Sequence, residues 1–177
     1  MFFSLGGVVV PIESALDFSQ TYEPLGGVAR LRMMSGALVQ QVGWRKLRTT
    51  LSGAGWWPSG LEGLDYDSAL TLLCAAPRAI LSASNVIALP AARRTDAGFA
   101  PIGHAVVPGA SVGVSGGDLV PTAVSIADNL ATLTPVTGAI GYQITYWPQI
   151  TVFVTSRATQ ADLPGAAHRW SLTAEEI

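Results

Sequence analysis

The chain has 177 residues, a formal net charge of −2 and only 12% charged residues, where a typical soluble domain has roughly 25%. Its length suits one domain with a sizeable core, and its hydrophobic content of 49% excludes intrinsic disorder. Low charge predicts that much of the surface is covered, either by a membrane or by permanent subunit interfaces.

The membrane alternative is the weaker one because no segment reads as a spanning helix. A span needs about 20 consecutive apolar residues, and the best uncharged stretch, residues 129–156, is broken by Pro135, Pro148 and several polar residues. The first residues are apolar but lack the basic region of a signal peptide. We therefore expect no membrane span, and subunit interfaces explain the low charge better.

The first half of the chain is predicted to consist of short strands. Nineteen glycines and eleven prolines punctuate it throughout. Strands are predicted at residues 5–12, 28–34, 37–42, 44–51 and 68–76, with a tight turn at Gly26-Gly27 and irregular structure at 52–60. In the strand 44–51, alternation predicts that Leu47, Thr49 and Leu51 face the core. Lys46 and Arg48 then face outward.

The second half is predicted to continue in the same way. Residues 79–88 form a strand or a short helix, and strands follow at 120–126, 131–135, 142–147 and 150–155, with a turn at Asp128-Asn129. Residues 91–117 are interpreted as a long loop or a projecting hairpin. Residues 158–177 are interpreted as a loosely packed tail, in which 171–177 forms a short helix.

These elements predict a mainly β fold. We expect a single domain over residues 1–177, built as a small β-barrel or a two-sheet sandwich with one or two short helices. Cys74 is the only cysteine and is interpreted as a small buried apolar residue.

The chain carries no convincing catalytic or ligand-binding motif. Residues 109–113 match the G-x-S-x-G pattern around Ser111, but no helix start follows it, and the histidines are poorly placed for a triad. Two distant histidines and one cysteine give no metal-ligand spacing. Glu175 and Glu176 read as solvated charge. We therefore expect no catalytic residues, no metal, no cofactor and no enzymatic activity.

Residues 44–66 are the most distinctive segment and predict a recognition surface. The chain has no acid between Glu23 and Glu62, whereas five of its ten basic residues lie there. Three of the five tryptophans lie in the segment, which ends with the acids Glu62 and Asp65 and is followed by Asp67. Because opposite charges on two copies can meet, we predict a subunit interface. Its candidate residues are Arg30, Arg32, Arg45, Lys46, Arg48, Trp56, Trp57, Glu62, Asp65 and Asp67.

Two other partners suit part of this segment. Basic residues interleaved with aromatics can bind nucleic acid, but the isoelectric point of about 5.6 argues against that class. Trp56 and Trp57 in a Gly/Pro loop can also stack on sugars, which predicts a carbohydrate- or host-surface-binding module as the alternative. Nucleic acid is expected only as a genome passing through a tube lumen.

Several segments resemble small structural proteins of the tails and baseplates of contractile-tailed, Pseudomonas-phage-like bacteriophages, of the ripcord or tube-associated type. They are DFSQTYEPLGG (17–27), RLRMMSG (30–36), WRKLRTTLSGAGWWPSGLEGLDY (44–66), LTLLCAAPR (70–78) and YWPQITVF (146–153). The resemblance implies a β-rich virion subunit, made in the host cytoplasm, that forms a ring or collar around or at the end of the tail tube. Its implied partners are other copies of itself and other tail or baseplate proteins. It implies no enzymatic activity.

Overall fold

The computed structural model describes residues 3–109, 117–162, 165 and 167–177. These residues confirm the mainly β class, with three antiparallel sheets and no closed barrel. The strands are β1 Ser4–Leu5, β2 Val8–Val9, β3 Ser19–Arg32, β4 Leu38–Gly55, β5 Leu70–Leu73, β6 Arg78–Ser82, β7 Val86–Ala88, β8 Ile102–Pro108, β9 Gly117–Thr122, β10 Val124–Ala127, β11 Leu130–Leu133, β12 Gly141–Tyr146, β13 Gln149–Asp162 and β14 Ala167–Glu176. Single 3-10 turns lie at Ile12–Ser14 and Leu61–Gly63.

The chain, for which the sequence predicts one domain, contains two compact units. Residues 1–75 and 150–177 form the first unit, and residues 76–149 form the second. Each unit has its own cluster of buried side chains. The second unit is thus inserted between two strands of the first. An insertion of this kind leaves no compositional boundary in the sequence, because both units are built from β-strands.

The first unit is a seven-stranded sheet in the order β2-β1-β5-β13-β14-β4-β3. Alternate residues of its central strands are buried, as a half-covered sheet requires. They include Leu70, Leu72, Ile150, Val152, Trp170, Leu172 and Leu51. The Trp170 ring stacks on Phe3 with 5.8 Å between centroids, and its Nε1 donates to the Ser14 carbonyl at 2.8 Å. This bond satisfies the only polar atom of a buried indole.

The C-terminal segment is a central strand, which corrects the prediction of a loosely packed tail with a short helix at 171–177. β14 pairs with β13 on one side and with β4 on the other. Trp170, Leu172 and Ala174 alternate with exposed or half-buried residues and are themselves almost completely buried. Their period of two is the signal that identifies the strand.

The second unit is a small two-sheet sandwich, as predicted. Its four-stranded sheet has the order β6-β12-β8-β9, and its three-stranded sheet has the order β10-β11-β7. Both sheets contribute to one core, which includes Leu133 and Ile87 from one sheet and Ile144 and Ala105 from the other. Residues 79–88 are strand, not helix. Asp128 and Asn129 form the predicted turn, with φ of 48° and 63°.

Residues 91–117 contain the strand β8, which pairs with β9. Residues 110–116, and with them Ser111, lie outside the described residues. Ahead of β8, Arg94 is 3% exposed, and its guanidinium lies 3.3 Å from the centroid of the Phe99 ring. Arg94 also makes a two-bond ion pair with Asp96, at 2.9 and 2.5 Å. The hydrogen bond from Arg94 lowers the pKa of the Asp96 carboxyl.

The hairpin of β3 and β4 is much longer than the sequence predicts. The expected turn at Gly26-Gly27 is absent: β3 runs through both glycines and continues to Arg32. β4 likewise continues to Gly55, into the region predicted to be irregular. β14 stops pairing with β4 at Arg48. Residues 24–47 therefore extend past β14 as a two-stranded ribbon, which we call the arm.

No helix in the described part of the chain has the length and apolar character that a membrane span requires.

Candidate subunit interface

The arm is exposed over nearly its whole length. Every residue from 28 to 45 is exposed, on both strands and at the connecting turn. Nine residues of β3 beyond Glu23 at about 3.3 Å each give the arm a length of roughly 30 Å. The turn is closed by hydrogen bonds from the Gly36 N–H to the Met33 carbonyl, 2.8 Å, and from the Met33 N–H to the Ala37 carbonyl, 3.0 Å. Gly36 supplies the left-handed conformation there, with φ of 81°.

A β-bulge at the middle of the arm sets which side chains share a face. Gly27 pairs with Trp44, whereas Val28 pairs with Val42, so Gly43 is the extra residue. Directly opposed residues in an antiparallel pair lie on the same face. The Trp44 ring accordingly lies across Gly27, where an added Cβ would be 2.7 Å from its Nε1. Because of the bulge, Arg45 lies on the same face as Arg30 and Arg32. Without the extra residue, Arg45 would lie on the opposite face.

The first face of the arm is basic. Arg45 opposes Gly26, Arg30 opposes Gln40, and Arg32 opposes Leu38, and these pairs all project to the same side. Arg30 Nε donates to Gln40 Oε1 at 3.3 Å, which agrees with this register. Arg32 Nη1 donates to the Gly36 carbonyl at 3.2 Å. Among the described residues, none of these three arginines forms a salt bridge. We call them the basic face.

The second face of the arm is largely apolar. It carries Leu31, Met33, Val39 and Trp44, which are 62, 60, 38 and 51% exposed. Lys46 projects to this side at the base of the arm, where its Nζ donates to an oxygen of Ile177. An isolated two-stranded ribbon is marginally stable in water. Exposed large apolar side chains on both of its strands are typical of a surface that a partner covers.

Arg48 differs from the other predicted interface bases because it is paired within its own chain. Its guanidinium lies 2.8 Å from Glu175 and 3.3 Å from Glu23. The hydrogen bond to Glu175 raises the pKa of Arg48 above its usual value. Glu176 Oε2 accepts from the Leu47 N–H at 2.9 Å. Both C-terminal glutamates therefore hold the base of the arm, which corrects their interpretation as solvated charge.

Residues 56–67 form an exposed loop in the same unit, which we call the acidic loop. Trp56 and Trp57 are 61 and 60% exposed. Glu62, Asp65 and Asp67 are exposed as well, and none of the three makes a salt bridge in the described part of the chain. The loop is held in place by Leu61, which is 5% exposed and whose carbonyl accepts from the Tyr66 hydroxyl at 2.5 Å.

A hollow of about 350 Å³ lies beside the acidic loop, between it and strands β13 and β14. Leu61, Tyr66, Trp170 and Arg157 line it. The Arg157 guanidinium lies 4.2 Å from the centroid of the Tyr66 ring. Trp170 stacks on Phe3 on its other side. The aromatic rings that line the hollow are thus already in contact with other protein groups. We therefore treat the hollow as part of the surroundings of the acidic loop and not as a separate binding site.

The structure brings the predicted interface residues into two groups in one unit. Arg30, Arg32, Arg45 and Lys46 lie on the arm, and Arg48 lies at its base. Trp56, Trp57, Glu62, Asp65 and Asp67 lie on the acidic loop. No group of three or more potential metal ligands occurs among the residues described. Comparison with known protein families, curated proteins and solved structures finds no match for this chain.

Proposed function

We propose that this protein is a structural subunit of a bacteriophage tail or baseplate. It assembles with other copies of itself into a ring or collar around the tail tube or at its end, and it also contacts other tail or baseplate proteins. The phage assignment rests on the sequence resemblance of the segments at 17–27, 30–36, 44–66, 70–78 and 146–153. It makes the protein a virion component that is synthesised in the host cytoplasm.

The exposed apolar face of the arm is the observation that carries this proposal. Covering apolar surface contributes about 25 cal/mol per Å², so leaving Leu31, Met33 and Trp44 in water forgoes several favourable contacts. Obligate interfaces are more apolar than ordinary protein surface. The low share of charged residues, 12%, agrees with a subunit that is surrounded by others.

The oligomeric state of the purified protein tests the assembly. We expect an oligomer by light scattering coupled to size exclusion, and a ring by electron microscopy. Leu31→Ser with Val39→Ser should give a folded monomer, because both side chains lie on the exposed apolar face. The matched control is Leu81→Ser with Ile102→Ser, which removes side chains that are 67 and 47% exposed outside the arm. A wild-type protein that is monomeric at all concentrations contradicts the assembly.

The phage assignment has its own test. Antibodies raised against the protein should label the tail or baseplate of purified particles, and mass spectrometry should detect the protein in them. Particles that contain no copy of the protein contradict the assignment without affecting the measured oligomeric state.

A carbohydrate- or host-surface-binding module is the second candidate, favoured by the exposure of Trp56 and Trp57. Adjacent exposed indoles in a loop can stack on sugar rings. In a glycan-array experiment, this candidate predicts binding that Trp56→Ala or Trp57→Ala abolishes while the oligomer persists. The absence of binding to any glycan, with an intact oligomer, leaves assembly as the function.

A further inference from the structure

The basic face of the arm has no acidic partner among the described residues of its own chain. Its three arginines are exposed, and the hydrogen bonds of Arg30 and Arg32 go to a neutral amide and a carbonyl. Only the arginine at the base of the arm, Arg48, has carboxylate partners. A guanidinium binds carboxylates through paired hydrogen bonds and stacks on tryptophan. The basic face is therefore suited to a surface that combines carboxylates with indole rings.

The acidic loop of the same chain offers that combination. It presents Glu62, Asp65 and Asp67 together with Trp56 and Trp57, all exposed. Within the described residues, none of the three carboxylates forms a salt bridge. The Asp65 carboxylate accepts a local hydrogen bond from the Asp67 N–H at 3.1 Å. Three unpaired bases and three unpaired acids thus lie on two separate surfaces of one chain.

We infer that the basic face of the arm of one copy binds the acidic loop of a second copy. This inference rests on the proposed assembly and names the contact that produces it. Because the arm and the loop are different surfaces, the contact is heterologous, and such contacts generate rings when the rotation between copies closes. Duplex DNA is a less suitable partner, because the protein has a net charge of −2, whereas DNA-binding domains are usually basic. The sequence indicates no further acid-free surface outside the arm.

Paired charge reversals test the contact. The arm variant is Arg30→Glu with Arg45→Glu, and the loop variant is Glu62→Lys with Asp67→Lys. Each alone places like charges across the contact, so each should lose the oligomer and elute as a monomer. An equimolar mixture should recover a species heavier than the monomer, because each reversed surface then meets a reversed surface on the other variant. Both reversals in one chain should also restore the oligomer.

A control variant separates this contact from a general effect of charge. Arg78→Glu with Arg93→Glu changes the net charge by the same amount but leaves the arm and the acidic loop intact, because both residues lie in the second unit, and it should remain oligomeric. Circular dichroism and thermal unfolding verify that every variant is folded.

The outcomes distinguish the contact from the wider proposal. Persistence of the oligomer in the arm variant, or no recovery on mixing, overturns the inference while leaving the proposed assembly in place. A monomeric wild-type protein overturns both. A monomeric wild type that binds duplex DNA through Arg30 and Arg45, detected by a mobility shift that the arm variant loses, would assign the basic face to nucleic acid instead.

Discussion

At the scale of single residues, close backbone approaches explain several positions that the sequence leaves unremarked. Gly55 ends β4 directly against the first 3-10 turn, where an added Cβ would lie 1.9 Å from the Glu13 carbonyl oxygen. Gly53 lies under the ring of Trp170, at 2.6 Å from the position of a Cβ. A side chain at position 55 would require the backbone to move, and a side chain at position 53 would require the Trp170 ring to move. These two glycines therefore fix how β4 packs in the first unit.

Gly55→Ala is expected to lower the free energy of unfolding by about 3 kcal/mol, at the upper end of the usual cost of overpacking. The clash is with backbone atoms, which cannot rotate away. Gly63→Ala is the matched control, because an added Cβ there meets nothing within 4 Å. We expect it to change stability by less than about 0.5 kcal/mol. Urea denaturation measures both, and equal stability of the two variants would contradict the close approach.

The Arg94–Asp96 pair predicts a second residue-scale effect, on the pH dependence of stability. The hydrogen bond from Arg94 lowers the pKa of Asp96 in the folded state below its ordinary value. The stabilisation is therefore present above the pKa of the unfolded state and is lost as the pH falls through the lower, folded value. Asp96→Asn should reduce stability near neutral pH by about 1–3 kcal/mol, since a buried guanidinium loses a charged partner.

The measurement is urea denaturation of the wild type and Asp96→Asn between neutral pH and about pH 2.5. The difference between them should shrink below about pH 4, where the Asp96 carboxylate of the unfolded wild type becomes protonated, and it should be lost below the lower pKa of the folded state. A difference that stays constant over this range would show that the ion pair contributes no pH dependence.

At the scale of elements, the positions of β14 and the arm in the sheet differ from what their positions in the sequence suggest. β14 lies near the end of the chain, yet it occupies the middle of the seven-stranded sheet between β13 and β4. The arm lies in the first half of the chain, yet the part beyond Arg48 pairs only with itself. Removing buried surface from β14 should therefore unfold the protein, whereas changes in the arm should affect association.

Leu172→Ala tests the central position of β14. Leu172 is 2% exposed, and truncating a buried leucine costs about 2–5 kcal/mol because it leaves a cavity. Ser171→Ala, on the exposed neighbouring residue of the same strand, should cost less than about 0.5 kcal/mol. Thermal unfolding compares the two. A small effect of Leu172→Ala would support the loosely packed tail that the sequence suggests.

At the scale of the whole molecule, the chain is an insertion of one folded unit into another. Residues 76–149 interrupt the first unit between β5 and β13, and they close a core of their own. The first unit carries the arm and the acidic loop, so all of the proposed contact lies in one unit. The second unit takes no part in the proposed contact.

A fragment of residues 76–149 is expected to fold alone, because both of its sheets contribute to a self-contained core. Its small size makes it marginal, and a broad but cooperative thermal transition is expected. Circular dichroism and dispersion of amide resonances measure this directly. A fragment with no cooperative transition and a collapsed amide spectrum would show that the second unit depends on the rest of the chain.

Much of the fold follows from the local sequence pattern, and particular residues show where that pattern predicts the wrong structure. Alternation over 44–51 correctly places Thr49 and Leu51 in the core, both 0% exposed, and Asp128-Asn129 correctly marks a turn. The tandem glycines at 26–27 mislead because they lie within a strand, next to the bulge at Gly43, rather than in a turn. The proposed interface residues are found from charge distribution, but the face on which each projects depends on that bulge.

By itself, the sequence determined the β class, the position of most strands, the absence of acids from the arm and the exposed character of the acidic loop. These properties follow from spacing and composition, which act over a few residues. The tertiary structure alone decided that Glu23 and Glu175 neutralise Arg48, that β14 is central, and that Arg30, Arg32 and Arg45 share one face. Each of these depends on strands that meet across long separations in the chain, and local sequence carries no information about which strands become neighbours.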